Sequence, residues 1–175
     1  MTEVPGGGGG VAATISGVTN ALRSDWAVVR DNVPVVNAVS DQAHAVPADV
    51  DWTSALSQGA GPNYLTFWFR TFHPQGVPAA AVRMRLYWVY GACYRGGGAF
   101  IPNAWLDVLD CEVAEGNTVN IDLTVYQPEN RGTETAPNAY LPISIRCEDA
   151  TAVSTIVETR VFALYGTGHY EEYSG

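Results

Sequence analysis

Two neighbouring stretches decide the fold of this chain: YLTFWFRTF, residues Tyr64–Phe72, and VRMRLYWVY, residues Val82–Tyr90. The first is rich in aromatic residues and lies between two prolines, which favours a strand over a helix. The second alternates, so that one face carries apolar side chains and the other carries arginines and a tyrosine. The link between them contains two prolines and a glycine, and we predict that the two strands pair through a long hairpin loop.

Further strands are predicted on the C-terminal side of this hairpin. Val119–Tyr126 and Leu141–Glu148 alternate between apolar and polar residues, which is typical of half-buried strands with a polar outer face. Val153–Leu164 is predicted as a long final strand and Leu106–Val113 as a weaker one. Pro142 favours a strand start or a sheet edge at its position.

The N-terminal part of the chain is harder to assign. Val11–Leu22 is of mixed composition and is expected to form either a first edge strand or part of a flexible arm. Trp26–Val39 is apolar but broken by Pro34, which predicts an edge strand or a bend. Ser40–Gly61 has the composition of a loop, with one short helix expected at Ala48–Leu56, capped by an aspartate.

The pattern as a whole predicts an all-β protein with little helix. About eight strands, no repeat of 20–50 residues and no useful helical periodicity favour a single eight-stranded antiparallel jelly roll, a β-barrel or sandwich. We expect three parts: a flexible glycine-rich arm at residues 1–22, the jelly-roll domain at 23–165 and a peripheral tail at 166–175.

The composition argues against several functional classes. Only 15% of the residues are charged, against about 25% in a typical domain. Sixty of the 175 residues are β-branched or aromatic and 47% are hydrophobic, which disfavours a helix bundle and a disordered chain. All nine basic residues are arginine and the net charge is −9, so we expect no direct binding to nucleic acid.

The cysteines and the first residues bear on the compartment. Cys93, Cys111 and Cys147 form no CxxC motif, so neither a zinc site nor a redox motif is indicated. The sequence is compatible with three free thiols and also with a single disulfide, Cys93–Cys111 or Cys111–Cys147.

The start, MTEVPGGGGG, lacks the basic and apolar regions of a secretory signal, and no apolar run approaches the ~20 residues of a membrane span. We expect a soluble product made in the cytoplasm.

A search for chemistry yields no catalytic, metal-binding or cofactor-binding residues. The three histidines are widely separated, and no Gly-x-Ser-x-Gly nucleophile elbow or phosphate-binding loop occurs. Asp107 and Asp110 are the nearest carboxylate pair, but a regular strand would place them on opposite sides. Arg83, Arg85 and Arg95 form the only concentration of basic residues, and they are expected to pair with acids on neighbouring strands. Acids next to Cys147 in the sequence are expected to raise its pKa rather than to activate the thiol.

The aromatic residues provide candidates for a functional surface. Trp68 and Trp88 lie in strand centres and are expected to be packed. Other aromatics lie near loops, edges or the tail, where they can anchor a neighbouring subunit. The subunit-interface candidates are Trp26, Trp52, Trp105, Tyr170 and Tyr173.

Several features together carry a family resemblance: the size of the chain, the strand-rich run Tyr64–Leu164, the glycine arm Gly6–Gly10 and the use of arginine alone as the basic side chain. The chain resembles the small single-jelly-roll major capsid proteins of tail-less, icosahedral, membrane-containing phages of thermophilic bacteria and of their haloarchaeal virus relatives. The resemblance covers the core as a pattern rather than residue by residue. A haloarchaeal member would be more acidic, which favours the thermophilic side.

This resemblance implies a structural protein of the virion, made in the host cytoplasm, that is not an enzyme. It would form homodimers and larger capsomers, together with a second capsid protein, over an internal lipid membrane that encloses double-stranded DNA. It would bind no small-molecule substrate and no cofactor. The absence of arginine before Arg23 agrees, because a coat over a membrane needs no basic arm, whereas jelly-roll coats of RNA viruses typically have one.

Two other functions compete with this one. A carbohydrate-binding module, or lectin, would use Trp52, Trp105 or Tyr94 as a platform for a sugar ring. A cupin-like enzyme is disfavoured, because its metal needs a His-x-His pair and a glutamate near one strand, and that spacing is missing from the sequence.

Overall fold

The computed structural model describes residues 15–17, 24–30, 33–34, 43–47 and 60–174. These residues form strands and loops, and the described part contains no helix; the predicted helix at Ala48–Leu56 lies outside it. The strands are β1 Ile15–Gly17, β2 Ser24–Arg30, β3 Val33–Pro34, β4 Ala43–Pro47, β5 Ala60–Phe72, β6 Pro78–Tyr90, β7 Ala92–Tyr94, β8 Gly97–Val113, β9 Thr118–Val125, β10 Glu129–Asn130, β11 Ala139–Ala150, β12 Thr155–Tyr165 and β13 Tyr170–Ser174.

These strands build two antiparallel sheets, so the all-β prediction is confirmed. The first sheet has the order β1-β4-β8-β6-β5, with β7 paired to β8. The second has the order β13-β12-β11-β9-β2-β3, with β10 paired to β11. Neither sheet closes into a barrel among the described strands.

The predicted hairpin lies in the first sheet. Strands β5 and β6 pair antiparallel, with Leu65 opposite Leu86 and Phe69 opposite Val82. The loop between them closes where the His73 N–H donates to the Val77 carbonyl at 2.8 Å. The predicted inward face of β6 is fully buried, as a period of two requires: Val82, Met84, Leu86 and Trp88.

The second sheet confirms the other two alternating segments. The apolar residues of β9 and β11 are buried and the residues between them are less so. Strand β11 is central, between β9 and β12, so Pro142 does not mark an edge. The pairing with β9 begins at Ile143, the residue after the proline. The missing N–H of Pro142 therefore costs no hydrogen bond between β11 and β9.

The core lies between the two sheets and joins all the long strands. Phe67 of β5 packs against Phe162 of β12 with ring centroids 5.2 Å apart. The cavity that remains beside Phe69 and Ile145 has a volume of about 10 Å³, scarcely enough for one water molecule. The largest fully buried side chains come from both sheets: Trp88, Phe69, Phe100, Phe162, Met84, Leu86, Ile101, Ile121, Leu141, Ile143, Ile145 and Leu164.

One end of this sandwich is closed by backbone hydrogen bonds around Gly166. The Gly91 N–H donates to the Gly166 carbonyl at 2.7 Å, and the Gly166 N–H donates to the Ala139 carbonyl at 2.8 Å. Gly166 follows β12 of the second sheet, and a Cβ there would overlap the carbonyl of Ala99 on β8 of the first sheet. Glycine is therefore required by the close approach of two backbones.

The opposite end is closed by a buried carboxylate. Asp149 of β11 is 2% exposed. One of its oxygens accepts a hydrogen bond from the Asn117 amide at 2.8 Å, and the other accepts from the Thr71 hydroxyl. Because Thr71 belongs to β5, this second bond connects the two sheets.

The structure departs from the sequence predictions in strand order. Strands β5, β6 and β8 remain in one sheet and β9, β11, β12 and β13 in the other, whereas successive strands of a jelly roll cross repeatedly between sheets. The eight-stranded jelly roll is therefore not confirmed. Strands that follow one another along the chain usually pair as neighbours. Most consecutive long strands here pair in this way within one sheet instead of alternating between the two sheets.

Several short strands lie in segments that were expected to be arm, loop or tail, although a first edge strand was the alternative for Val11–Leu22. Strand β1 lies within the expected arm and pairs with β4, which itself lies in the expected loop Ser40–Gly61. Strand β13 lies within the expected tail and pairs with β12. These strands are short, and their pairing depends on a partner distant in sequence rather than on a local pattern.

The first prediction concerns Gly166. We expect Gly166→Ala to lower the free energy of unfolding by about 3 kcal/mol, because the added methyl group forces two backbones apart. The control is Gly61→Ala on β5, where nothing lies within 4 Å of the added atom; it should change stability by less than about 0.5 kcal/mol. Urea denaturation followed by fluorescence measures both, and equal effects would contradict the assignment.

The second prediction concerns Asp149. Asp149→Ala leaves the buried Thr71 hydroxyl and Asn117 amide without their acceptor, so we expect a loss of about 2–4 kcal/mol in the free energy of unfolding. The exposed Asp107→Ala serves as the matched control and should be nearly neutral. Urea titration at neutral pH measures the difference. A neutral result for Asp149→Ala would show that the sheets are not tied together there.

Candidate interaction surfaces

The outward surface of the first sheet concentrates aromatic and arginine side chains. Apolar residues of β5, β6 and β8 point into the core, so the residues between them point away from it. We call the outward set the aromatic–arginine face: Tyr64, Trp68 and Arg70 of β5, Arg83, Arg85 and Tyr87 of β6, and Trp105 of β8.

Three rings of this face lie in a row across the strands. Tyr87 is in register with Tyr64 on one side and with Trp105 on the other. The ring centroids of Tyr87 and Tyr64 are 5.9 Å apart, and those of Tyr87 and Trp105 are 4.9 Å apart. The planes of Tyr87 and Trp105 lie within 10° of each other, so each of these two rings covers one face of the other.

The arginines lie over the neighbouring rings. The Arg70 guanidinium is 4.3 Å from the centroid of the Trp68 ring, and the Arg85 guanidinium is 4.6 Å from that of Tyr64. A cation at this distance is attracted by the electron-rich ring face, by about 0.5–1 kcal/mol at exposed sites. These contacts hold positive charge close to the surface of the sheet.

The side of this face formed by β8 is acidic because of a β-bulge. The register shifts by one residue near Leu109, so that Asp107 lies opposite Arg85 and Asp110 lies opposite Arg83. The prediction that the two aspartates lie on opposite sides is wrong, since the extra residue in a bulge returns the chain to the same side. The prediction that acids on a neighbouring strand pair with the arginines is confirmed for Arg83, which lies 4.0 Å from Asp110. The Arg85 guanidinium lies over the Tyr64 ring instead, and that of Arg95 over the Tyr94 ring.

The predicted interface residues occupy different places. Trp105 belongs to the aromatic–arginine face. Trp26 lies on β2 but its side chain is not described, and Trp52 is outside the described residues. Tyr170 lies on β13, 41% exposed, with its ring edge-on to Trp88 at 5.8 Å.

Trp68 and Trp88, both expected to be packed, differ from each other. Trp88 is fully buried in the core, as expected. Trp68 lies half-buried on the outward face. In the run from Phe67 to Phe69 every residue is aromatic, so composition alone does not reveal which ring faces the core. Pairing with β6 determines which ring faces the core, because Phe67 and Phe69 are in register with buried residues of that strand.

A second aromatic group, which we call the tyrosine cluster, lies on the outward surface of the second sheet: Tyr140, Tyr165 and Tyr173. The rings of Tyr140 and Tyr165 are 5.3 Å apart. Tyr173 is 44% exposed and donates a hydrogen bond to the Glu171 carboxylate. This bond raises the pKa of the Tyr173 phenol and lowers the pKa of the Glu171 carboxyl. The Arg131 guanidinium lies 4.5 Å from the Tyr140 ring centroid.

The two sugar-platform candidates in the described part of the chain, Trp105 and Tyr94, each have one ring face occupied by a neighbouring side chain. One face of Trp105 is covered by Tyr87. Tyr94 is half-buried, with the Arg95 guanidinium 5.0 Å from its ring centroid. A sugar that stacks on an aromatic residue needs an open ring face, so neither residue favours this use.

The three cysteines are free, so both disulfide alternatives are wrong. Burial raises the pKa of the Cys147 thiol to about 12, with the Glu158 carboxylate as the next cause. Burial also raises the pKa of the Cys111 thiol to about 11, followed by Asp110 and Glu112. The predicted direction for Cys147 is confirmed, but its main cause is desolvation rather than the acids beside it in the sequence.

A cleft of about 250 Å³ opens beside Asp149, between the β5–β6 loop and the start of β12. His73, Thr151 and Ser154 also line this cleft. The Asp149 carboxylate is already engaged by Asn117 and the Thr71 hydroxyl, and the Thr151 and Ser154 hydroxyls bond to each other at 2.9 Å. The carboxylate, amide and hydroxyl groups at the cleft thus satisfy one another, as structural hydrogen bonds do.

Comparison with known proteins assigns no family. No family model, curated protein or solved structure matches the chain. Within the described ranges, three or more His, Cys, Asp or Glu residues nowhere meet in a group that could hold a metal. The same ranges contain no helix of the length and hydrophobicity that a membrane crossing requires. The surfaces and buried groups described above are therefore the basis for inferring function.

The third prediction concerns the thiols. At pH 8 we expect iodoacetamide to modify Cys147 and Cys111 in the folded protein at least about a hundredfold more slowly than in urea, because a pKa raised by two or more units makes the thiolate correspondingly scarce. The rate for Cys111 should rise as the pH approaches 11. Mass spectrometry of the peptides measures both sites. Equal rates with and without urea would contradict the burial of these residues.

Proposed function

We propose that this chain is a structural protein of a virion, a capsid subunit that assembles with copies of itself into dimers and larger capsomers. The observation that carries the proposal is the aromatic–arginine face. Tyrosine, tryptophan and arginine are the residue types most enriched at protein–protein interfaces and their hot spots. Here they lie side by side on a regular sheet rather than around a concave pocket, which is the usual form of a small-molecule site.

The tyrosine cluster supports the same proposal. It lies on the second sheet, on the other side of the sandwich from the aromatic–arginine face. A subunit that builds a closed shell needs more than one contact surface, because a single two-fold contact ends at a dimer. Two aromatic surfaces on opposite sides meet that requirement.

Part of the strand pairing supports membership of the jelly-roll class. A jelly roll arises when a long antiparallel hairpin rolls up, which pairs strands in a nested order. Nested antiparallel pairs occur here between β2 and β9, β4 and β8, and β5 and β6. The later strands β11, β12 and β13 follow as a simple meander, and this part gives the jelly roll no support.

The charge of the chain bears on its partners. A net charge of −9 disfavours binding to the polyanionic backbone of nucleic acid, so we propose contacts with other copies and with a second capsid protein rather than with the genome. The family resemblance adds an underlying viral membrane as a further proposed partner. The protein would be made in the host cytoplasm and located in the virion. A lectin is the less favoured alternative, since Trp105 and Tyr94 each have a ring face occupied.

The fourth prediction tests self-assembly. We expect sedimentation velocity of the full chain to show dimers or larger species whose fraction increases with concentration up to ~100 μM, the range of weak interfaces. Electron microscopy of concentrated samples should show ordered oligomers. A strict monomer at all concentrations would overturn the proposal. Glycan-array binding that is lost in Trp105→Ala would favour the lectin instead.

A further inference from the structure

The aromatic–arginine face is divided by charge. Its arginines lie on β5 and β6, where Arg70, Arg83 and Arg85 make up three of the nine in the chain. The adjacent strand β8 carries exposed carboxylates on the same side, Asp107 and Asp110. One half of the face is therefore basic and the other half is acidic.

The two halves neutralise each other only in part. Arg83 and Asp110 are 4.0 Å apart, at the limit of an ion pair, and both are about half exposed. The Arg85 side chain turns the other way, with its Nε donating to the Thr66 hydroxyl at 2.9 Å and its guanidinium over Tyr64. Asp107 has no ion-pair partner within the described residues. Charges of both signs therefore remain available at the surface.

We propose that this face packs against the same face of a second copy, about a two-fold axis that runs parallel to the strands. The inference rests on the proposed function, self-assembly, and names its contact surface. With the axis between β6 and β8, the rotation exchanges these two strands but keeps each residue at its own height along them. Because Arg85 is level with Asp107 and Arg83 with Asp110, each arginine then lies over the aspartate of the other copy.

A second copy fits this face better than a partner of uniform charge. An acidic partner, nucleic acid included, is repelled by the aspartates of β8, and a basic partner is repelled by the arginines. A copy related by the two-fold axis complements both halves at once, as an isologous contact requires. The rows of rings from the two copies meet near the axis, where burial of aromatic surface contributes most to binding.

The size of the face predicts a weak pair. Three strands about 4.8 Å apart and nine residues long give roughly 400 Å² of flat area per copy. Protruding side chains increase the area beyond this flat estimate, but a standard interface buries about 800 Å² per partner. We therefore expect micromolar affinity, which weakens with salt because the charges lie near the surface.

The experiment reverses each charged half separately. In one variant Arg83→Glu and Arg85→Glu make the face acidic throughout; in the other Asp107→Arg and Asp110→Arg make it basic throughout. We expect each variant alone to self-associate at least about tenfold more weakly than the wild type, because like charges now face each other. An equimolar mixture should associate again, since the two faces are complementary. Sedimentation velocity measures all three samples.

Two controls separate this face from effects on folding. The quadruple variant, with all four substitutions, exchanges the two halves and should associate as the wild type does. Arg95→Glu reverses a charge in the exposed turn between β7 and β8, outside both the aromatic–arginine face and the tyrosine cluster, and should leave association unchanged. Circular dichroism and urea denaturation check that every variant is folded.

The outcomes distinguish this inference from the proposed function. Reversal variants that associate like the wild type would overturn the inference and leave self-assembly standing. Reversal variants that dissociate but do not recover on mixing would overturn the two-fold pairing. Loss of association in the Arg95→Glu control would overturn the choice of face. A wild type that is monomeric throughout would overturn both the inference and the proposed function.

Discussion

Burial of two apolar sheet faces against each other is the constraint on which the rest of this structure depends. Each long strand presents one face, such as Met84, Leu86 and Trp88, that gains about 25 cal/mol for each Å² removed from water. Because side chains alternate along a strand, fixing that face inward also determines which residues face outward. The aromatic–arginine face is therefore held rigidly by the core beneath it.

The two ends of the sandwich are secured by different chemistry. At one end, the absence of a side chain at Gly166 lets the backbones of the two sheets approach, and the Gly91 N–H of the first sheet donates a hydrogen bond to the Gly166 carbonyl. At the other end, the Asp149 carboxylate accepts bonds from groups of both sheets. Together they maintain the relative position of the sheets, and with it the position of both outward surfaces.

The outward surfaces connect this fold to assembly. Rings and arginines occupy one sheet, a tyrosine cluster occupies the other, and a β-bulge at Leu109 brings Asp107 and Asp110 to the same side. A regular strand would have separated these carboxylates, and the division of the face into basic and acidic halves depends on that one extra residue. Many weak contacts of this kind suit a shell, because their number supplies stability while each one alone stays reversible.

The sequence by itself determined the β class, the β5–β6 hairpin and the buried faces of β6, β9 and β11, because a period of two is a local property of each strand. It did not determine the order of the strands, the pairing of the short strands β1, β4 and β13, the bulge at Leu109 or the outward position of Trp68. Tertiary structure decided these features, since each depends on hydrogen bonds and packing with a strand distant in the chain. The candidate surface belongs to this second group: its residues were visible in the sequence, but their assembly into one face with two opposite charges was not.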